Sequence, residues 1–91
     1  MDATIEIYQR YITNSQEEIA WYDQMGLPLP VSYNYKLLKF DATEISDVRK
    51  YKGSNYECIV YFNDGFKIVA KANADEIFIQ INDIKNGLAN E

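Results

Sequence analysis

Three features predict an α+β domain. Apolar residues recur at helical spacing over residues 4–25, apolar and polar residues alternate from Val31 to Lys71, and helical spacing returns over residues 73–89. The expected architecture is an N-terminal helix or helix pair, a three- to four-stranded antiparallel meander, and a C-terminal amphipathic helix. A chain of 91 residues has room for one core and no second one, so residues 1–91 are read as a single domain: 1–26 helical, 31–71 sheet, 73–89 helix.

The first element rests on Ile5, Tyr8, Ile12, Ile19 and Tyr22, which fall on one stripe of a 3.6-residue repeat. The stripe has a gap at Ser15. Ser15-x-x-Glu18 has the form of a capping box, so two short helices with a joint near 13–15 are expected. Gly26 and the run Leu27-Pro28-Leu29-Pro30 end the helical region, because proline lacks the N–H and restricts the residue before it. Strands are expected at about 32–40, 44–52, 56–62 and 66–71. The second is ambiguous: Asp41-x-x-Glu44 is also a capping box, and Ile45 with Val48 suits a helical turn, so residues 43–51 are read as strand with helix as the alternative. Gly53-Ser54-Asn55 marks a turn. Asn63-Asp64-Gly65 predicts a hairpin whose three-residue loop places Phe62 opposite Phe66, Val60 opposite Ile68 and Cys58 opposite Ala70, which makes one face wholly apolar. On the other face Glu57 would stand opposite Lys71. Asn73-x-x-Glu76 caps a last helix carrying Ile77, Ile81, Ile84 and Leu88 on one stripe, with Phe78 and Ile79 widening it towards a second contact.

Several chemistries are disfavoured by composition. With no His, the commonest general acid–base, metal ligand and nucleophile partner is missing, so no catalytic residue and no enzymatic activity are expected. A single cysteine, Cys58, allows no internal disulfide and no cysteine-based zinc site. The expected hairpin register turns it into the core, which is the environment of an inert thiol. Glu17-Glu18 and Asp75-Glu76 lie in first helical turns, where the helix dipole favours carboxylates, and Asn63-Asp64-Gly65 supplies too few oxygens for a calcium loop. No phosphate-cradling glycine-rich segment occurs. No cofactor and no metal are therefore expected. The acidic start of the chain is unlike a signal peptide and no apolar run approaches the ~18 residues of a membrane span, so a cytoplasmic protein with no membrane contact is expected.

Charge is unevenly spread within a net of −5. Residues 1–30 hold five acids and Arg10; residues 31–71 hold five acids and seven bases; residues 72–91 hold four acids and Lys85. Acidic helices beside a mildly basic sheet suggest three kinds of partner. The first is a protein with a basic surface, met by Glu6, Glu17, Glu18 and Asp23 as charges with Trp21 and Tyr22 as aromatic anchors. The second is single-stranded nucleic acid stacked on Tyr33, Tyr35, Tyr51, Tyr56 and Tyr61, which the net negative charge makes unlikely. The third is a second copy: a homodimer through the sheet would cover Ile59, Tyr61 and Val69, or an oligomer would sequester a small ligand between subunits.

The abundance of Ile, Asn, Tyr, Lys and Phe is what AT-rich codons produce, as in low-GC bacteria and their phages. In overall character, a small, acidic, Tyr-rich, His-free domain of this kind resembles the phage-encoded inhibitors of bacterial defence, of which anti-CRISPR proteins are the familiar example. No motif carries the resemblance. What it implies is inhibition by occupying a basic nucleic-acid-binding or regulatory surface of a defence protein in the host cytoplasm, without catalysis.

Overall fold

The computed structural model describes residues 3–89; Asp2 and Glu91 of the charge tally lie outside them. Thr4–Ile12 is a strand, β1, which corrects the expected N-terminal helix pair. The same residues satisfy two periods. Ile5, Tyr8 and Ile12 fit a helical stripe, but Ile5 and Ile7 also alternate with Thr4, Glu6 and Tyr8, and this β-branched and aromatic composition suits a pleated strand. Burial follows the period of two: Ile5 and Ile7 are buried, whereas Thr4, Glu6 and Tyr8 are exposed. The joint at 13–15 is where the helix begins. Ser15 Oγ accepts the Glu18 N–H at 3.1 Å to start α1, Gln16–Met25, and Gly26 at φ 68° closes it.

The chain then returns as β2, Tyr33–Asp41, antiparallel to β1 along its whole length. Both readings of the next segment describe part of it. Asp41 caps one 3₁₀ turn, Ala42–Glu44, and the backbone then extends into β3, Ile45–Lys50. β4, Cys58–Phe62, and β5, Lys67–Ala70, form the expected hairpin in the expected register: Cys58 faces Ala70, Val60 faces Ile68, and Gly65 takes φ 90° in the loop. α2, Ala74–Ala89, follows its Asn73 cap, whose side-chain oxygen accepts the N–H groups of Asp75 and Glu76. The sheet therefore has five strands, in the order β2-β1-β5-β4-β3, rather than three or four.

That order forces curvature. In a flat sheet the two edge strands would lie about 19 Å apart at ~4.8 Å per step. β2 and β3 are those edges, yet only the three residues of the 3₁₀ turn join them, and even a stretched chain from Asp41 to Ile45 reaches about 14 Å. The sheet must coil to bring its edges together at that end, as a barrel does. Phe40 of β2 accordingly meets Phe62 of β4, ring centroids 5.5 Å apart. α2 lies against β3 and the 3₁₀ turn and closes the concave side, where Ala74, Ile77 and Ile81 bury with Ile5, Ile7, Ile45, Val60 and Ile68. Each of these Ile and Val side chains contributes roughly 1.5–3 kcal/mol of transfer free energy.

Of the two α-helices, only α2 contributes residues to the core against the sheet. α1 contains no buried residue. Phe78 and Ile79 of α2 are exposed and make no second core contact, because they lie off the Ile77–Ile81 stripe. The radius of gyration is 16.2 Å, against about 12 Å for a compact chain of this length, and the long axis is 57 Å against 24 and 21 Å for the others. The excess length belongs to the β1–β2 ribbon, which carries α1 outward.

Candidate interaction surface

α1 is tied to the ribbon by hydrogen bonds at its base. Asn14 is its anchor: its side-chain oxygen accepts the Ser32 N–H at 2.8 Å, and its amide donates to Glu18 Oε1 at 2.8 Å and to the Pro30 carbonyl at 3.3 Å. Thr13 N–H donates to Ser32 C=O at 2.9 Å and completes the neck. These bonds fix how α1 leaves the ribbon, and the helix puts no residue into the core. Between Tyr11 and Tyr35 the chain has Glu17, Glu18 and Asp23 and no basic residue. Trp21 is 51% exposed and Met25 58%, with Leu27 and Val31 also exposed on the returning segment. Trp21 and Tyr22 meet edge to face with centroids 4.8 Å apart, which stiffens both rings.

Of the six residues proposed for partner binding, Glu17, Glu18, Trp21, Tyr22 and Asp23 sit together on this tip, with Tyr22 half-buried. Glu6 does not join them. It lies on β1 opposite Lys39, six residues back from the ribbon's end, because residues 4–12 are a strand.

A second feature, centred on Arg10, was not legible once residues 4–12 were assigned to a helix. Alternation along β1 puts Arg10 on the side opposite Ile5 and Ile7, level with Tyr35. Its guanidinium lies 4.2 Å from the Tyr33 ring centroid and 4.8 Å from that of Tyr51, donates to Tyr51 Oη at 3.4 Å, and pairs with Glu57 Oε2 at 3.4 Å. Tyr35 Oη donates to the same carboxylate oxygen at 3.0 Å. Glu57 thus turns to Arg10 and Tyr35, where the hairpin alone suggested Lys71; the Lys71 ammonium instead sits 5.3 Å over the Tyr35 ring. The proton affinities follow. The bond to Tyr51 holds Arg10 above its usual value and Tyr51 below the usual phenol, while burial and then the bond to Glu57 raise Tyr35.

Lys52 at φ 51° and Gly53 at φ 73° form a tight turn closed by the Ser54 N–H on the Tyr51 carbonyl, and this turn presents Tyr51 to Arg10. The exposed pairs Tyr8–Leu37 and Ile12–Tyr33 flank the cluster along the ribbon. Cys58 is fully buried, and burial pushes its thiol up to about 11, so it stays protonated and unreactive at neutral pH. Among the described residues no three His, Cys, Asp or Glu side chains gather as metal ligands, and no helix is long and apolar enough to cross a membrane. No family model, characterised protein or solved structure matches this chain.

Proposed function

We propose that this protein is a binding module that inserts the α1 tip into a basic surface of a nucleic-acid-binding protein and regulates that protein by occupying the surface. The observation that supports this best is a capped ten-residue helix carried away from the core with no buried residue of its own. A helix that short is marginal in water when isolated. A tip that is uniformly acidic and keeps Trp21, Met25, Leu27 and Val31 exposed has the composition of an interface: aromatic and aliphatic anchors ringed by one sign of charge. The resemblance of the whole chain to phage-encoded inhibitors of bacterial defence makes a defence nuclease or its nucleic-acid channel the partner class to test first.

Binding through the tip predicts that Glu17→Lys with Glu18→Lys weakens association at low salt by a factor of ten or more, that Trp21→Ala weakens it at all salt concentrations, and that Phe78→Ser on α2 leaves it unchanged. Titrating the three variants against the captured partner checks this, and equal affinity for all of them refutes the assignment.

Binding of single-stranded nucleic acid has less support. Tyr33, Tyr35 and Tyr51 do converge, but Glu57 stands among them, and Arg10, Lys71 and Lys52 already lie over their rings. Fluorescence anisotropy with labelled oligothymidylate is expected to show no binding at physiological salt.

A further inference from the structure

The two edges of the sheet are treated differently. β3 is protected over Ile45–Val48: it carries a bulge between Ile45 and Asp47, Asp47 Oδ1 accepts the outward N–H of Val48 at 2.8 Å, Lys85 Nζ donates to the Ile45 carbonyl at 3.0 Å, and α2 packs against the strand. These are the devices by which natural sheets prevent edge pairing. β2 is nine residues long, has no bulge, contains no buried residue, and has β1 as its one hydrogen-bonded strand neighbour.

Two bonds flanking the ribbon fix which backbone groups point outward. Thr13 N–H bonds Ser32 C=O and Ala42 N–H bonds Ala3 C=O, both in the register of the ladder. Because hydrogen-bonded pairs alternate along an antiparallel ladder, Asn34, Lys36, Leu38 and Phe40 bond to β1, and Tyr33, Tyr35, Leu37 and Lys39 turn their N–H and C=O groups away. Asn34 Oδ1 accepts the Tyr35 N–H at 2.8 Å. Among the described residues nothing accepts from the N–H groups of Leu37 and Lys39.

We infer that β2 pairs antiparallel with β2 of a second copy about a two-fold axis at Leu37, joining two five-stranded sheets into one. The occupant follows from self-complementarity. Centred on Leu37, the pairing sets Leu37 opposite the partner's Leu37, where each N–H meets the other's carbonyl, and Tyr35 opposite the partner's Lys39, whose N–H meets the Tyr35 carbonyl while the Tyr35 N–H keeps its bond to Asn34 Oδ1. No like charges stand opposite each other. An axis at Lys36 or Lys39 would set identical ammonium groups face to face. The chosen register also brings the exposed Leu37 side chains together beside the exposed Tyr8 of each copy. The surface differs from the meander face suggested by the sequence. The dimer holds its two α1 tips at opposite ends, a bivalency that matters only if the proposed function is right; the pairing itself does not depend on it.

The test is the solution mass of the full chain and three variants. Wild type is expected at twice the 10.6 kDa chain mass at high micromolar concentration. Leu37→Pro removes an outward N–H together with the Leu37 side chain on the axis, takes no bond from the ladder to β1, and should weaken association roughly tenfold or more with an unchanged circular dichroism spectrum. Should that variant unfold, Leu37→Lys and Leu37→Glu decide: each alone should be monomeric, and mixing them should restore a heterodimer with opposite charges on the axis. A wild-type chain that stays monomeric at millimolar concentration overturns the inference, as does a folded Leu37→Pro dimer or a Lys/Glu mixture that forms no heterodimer.

Discussion

Arg10 is the side chain on which the two parts of the sheet meet on their outer side. It reaches from β1 to Tyr51 and Glu57 of the β3–β4 segment while lying against Tyr33 of β2, and it is only 15% exposed. A desolvated guanidinium between two rings is worth about 1–2 kcal/mol, and its planarity is the reason. Arg10→Ala is therefore expected to lower unfolding free energy by about 2 kcal/mol in urea titrations, and Arg10→Lys to recover less than half of that. Lys52 is the converse case. Its left-handed backbone costs about 1 kcal/mol that glycine would not incur, so Lys52→Gly should raise stability by that order and leave the spectrum of the fold unchanged. Cys58 sets an alkaline limit. Burial raises the folded thiol to about 11 from its ordinary value of 9.0, so its contribution is complete below pH 9 and is lost between 9 and 11, where the unfolded chain ionises and the folded chain does not. The wild-type stability should fall across that window relative to Cys58→Ala, with the difference between the two curves as the readout.

At the scale of elements, α1 and α2 are stabilised by different means. α2 is amphipathic and draws its order from Ile77 and Ile81 in the core, whereas α1 has no core residue and relies on its caps and the Asn14 neck. Amide exchange should be fast throughout α1 and slow on the inner face of α2. Ser15→Ala removes the acceptor for the Glu18 N–H and should cost α1 about 1 kcal/mol of local stability, detected as faster exchange confined to residues 16–25 with the global unfolding midpoint unmoved. Ile7→Ala, by contrast, empties a core position and should cost about 2–5 kcal/mol globally.

For the molecule as a whole, the division is between a coiled, helix-covered body that supplies stability and a ribbon that supplies reach. The body buries the apolar cluster; the ribbon exposes Tyr8, Ile12, Tyr33 and Leu37 and carries the acidic tip to one end of a 57 Å axis. Removing residues 15–31 and joining the strands with a short turn should leave the body folded, since none of those residues is buried, and should abolish partner binding by the tip. Retained binding by the shortened chain would move the site to the body.

Local chemistry was readable without coordinates: the Ser15 and Asn73 caps, the Gly26 stop, the Asn63-Asp64-Gly65 loop with its register, the burial of Cys58 and the Ile77–Ile81 face all depend on residues near one another in the chain. So did the acidic composition of the tip. The nature of Thr4–Ile12 did not, because its residues satisfy helical and strand periods alike and only pairing with a strand some thirty residues later selects one. From that choice came the features that tertiary structure alone decided: the fifth strand, the coil required by joining opposite edges through one 3₁₀ turn, the Arg10 cluster, the separation of Glu6 from α1, and the open edge of β2. Each depends on which strand lies beside which, and a one-dimensional pattern fixes the faces of a strand without fixing its neighbours.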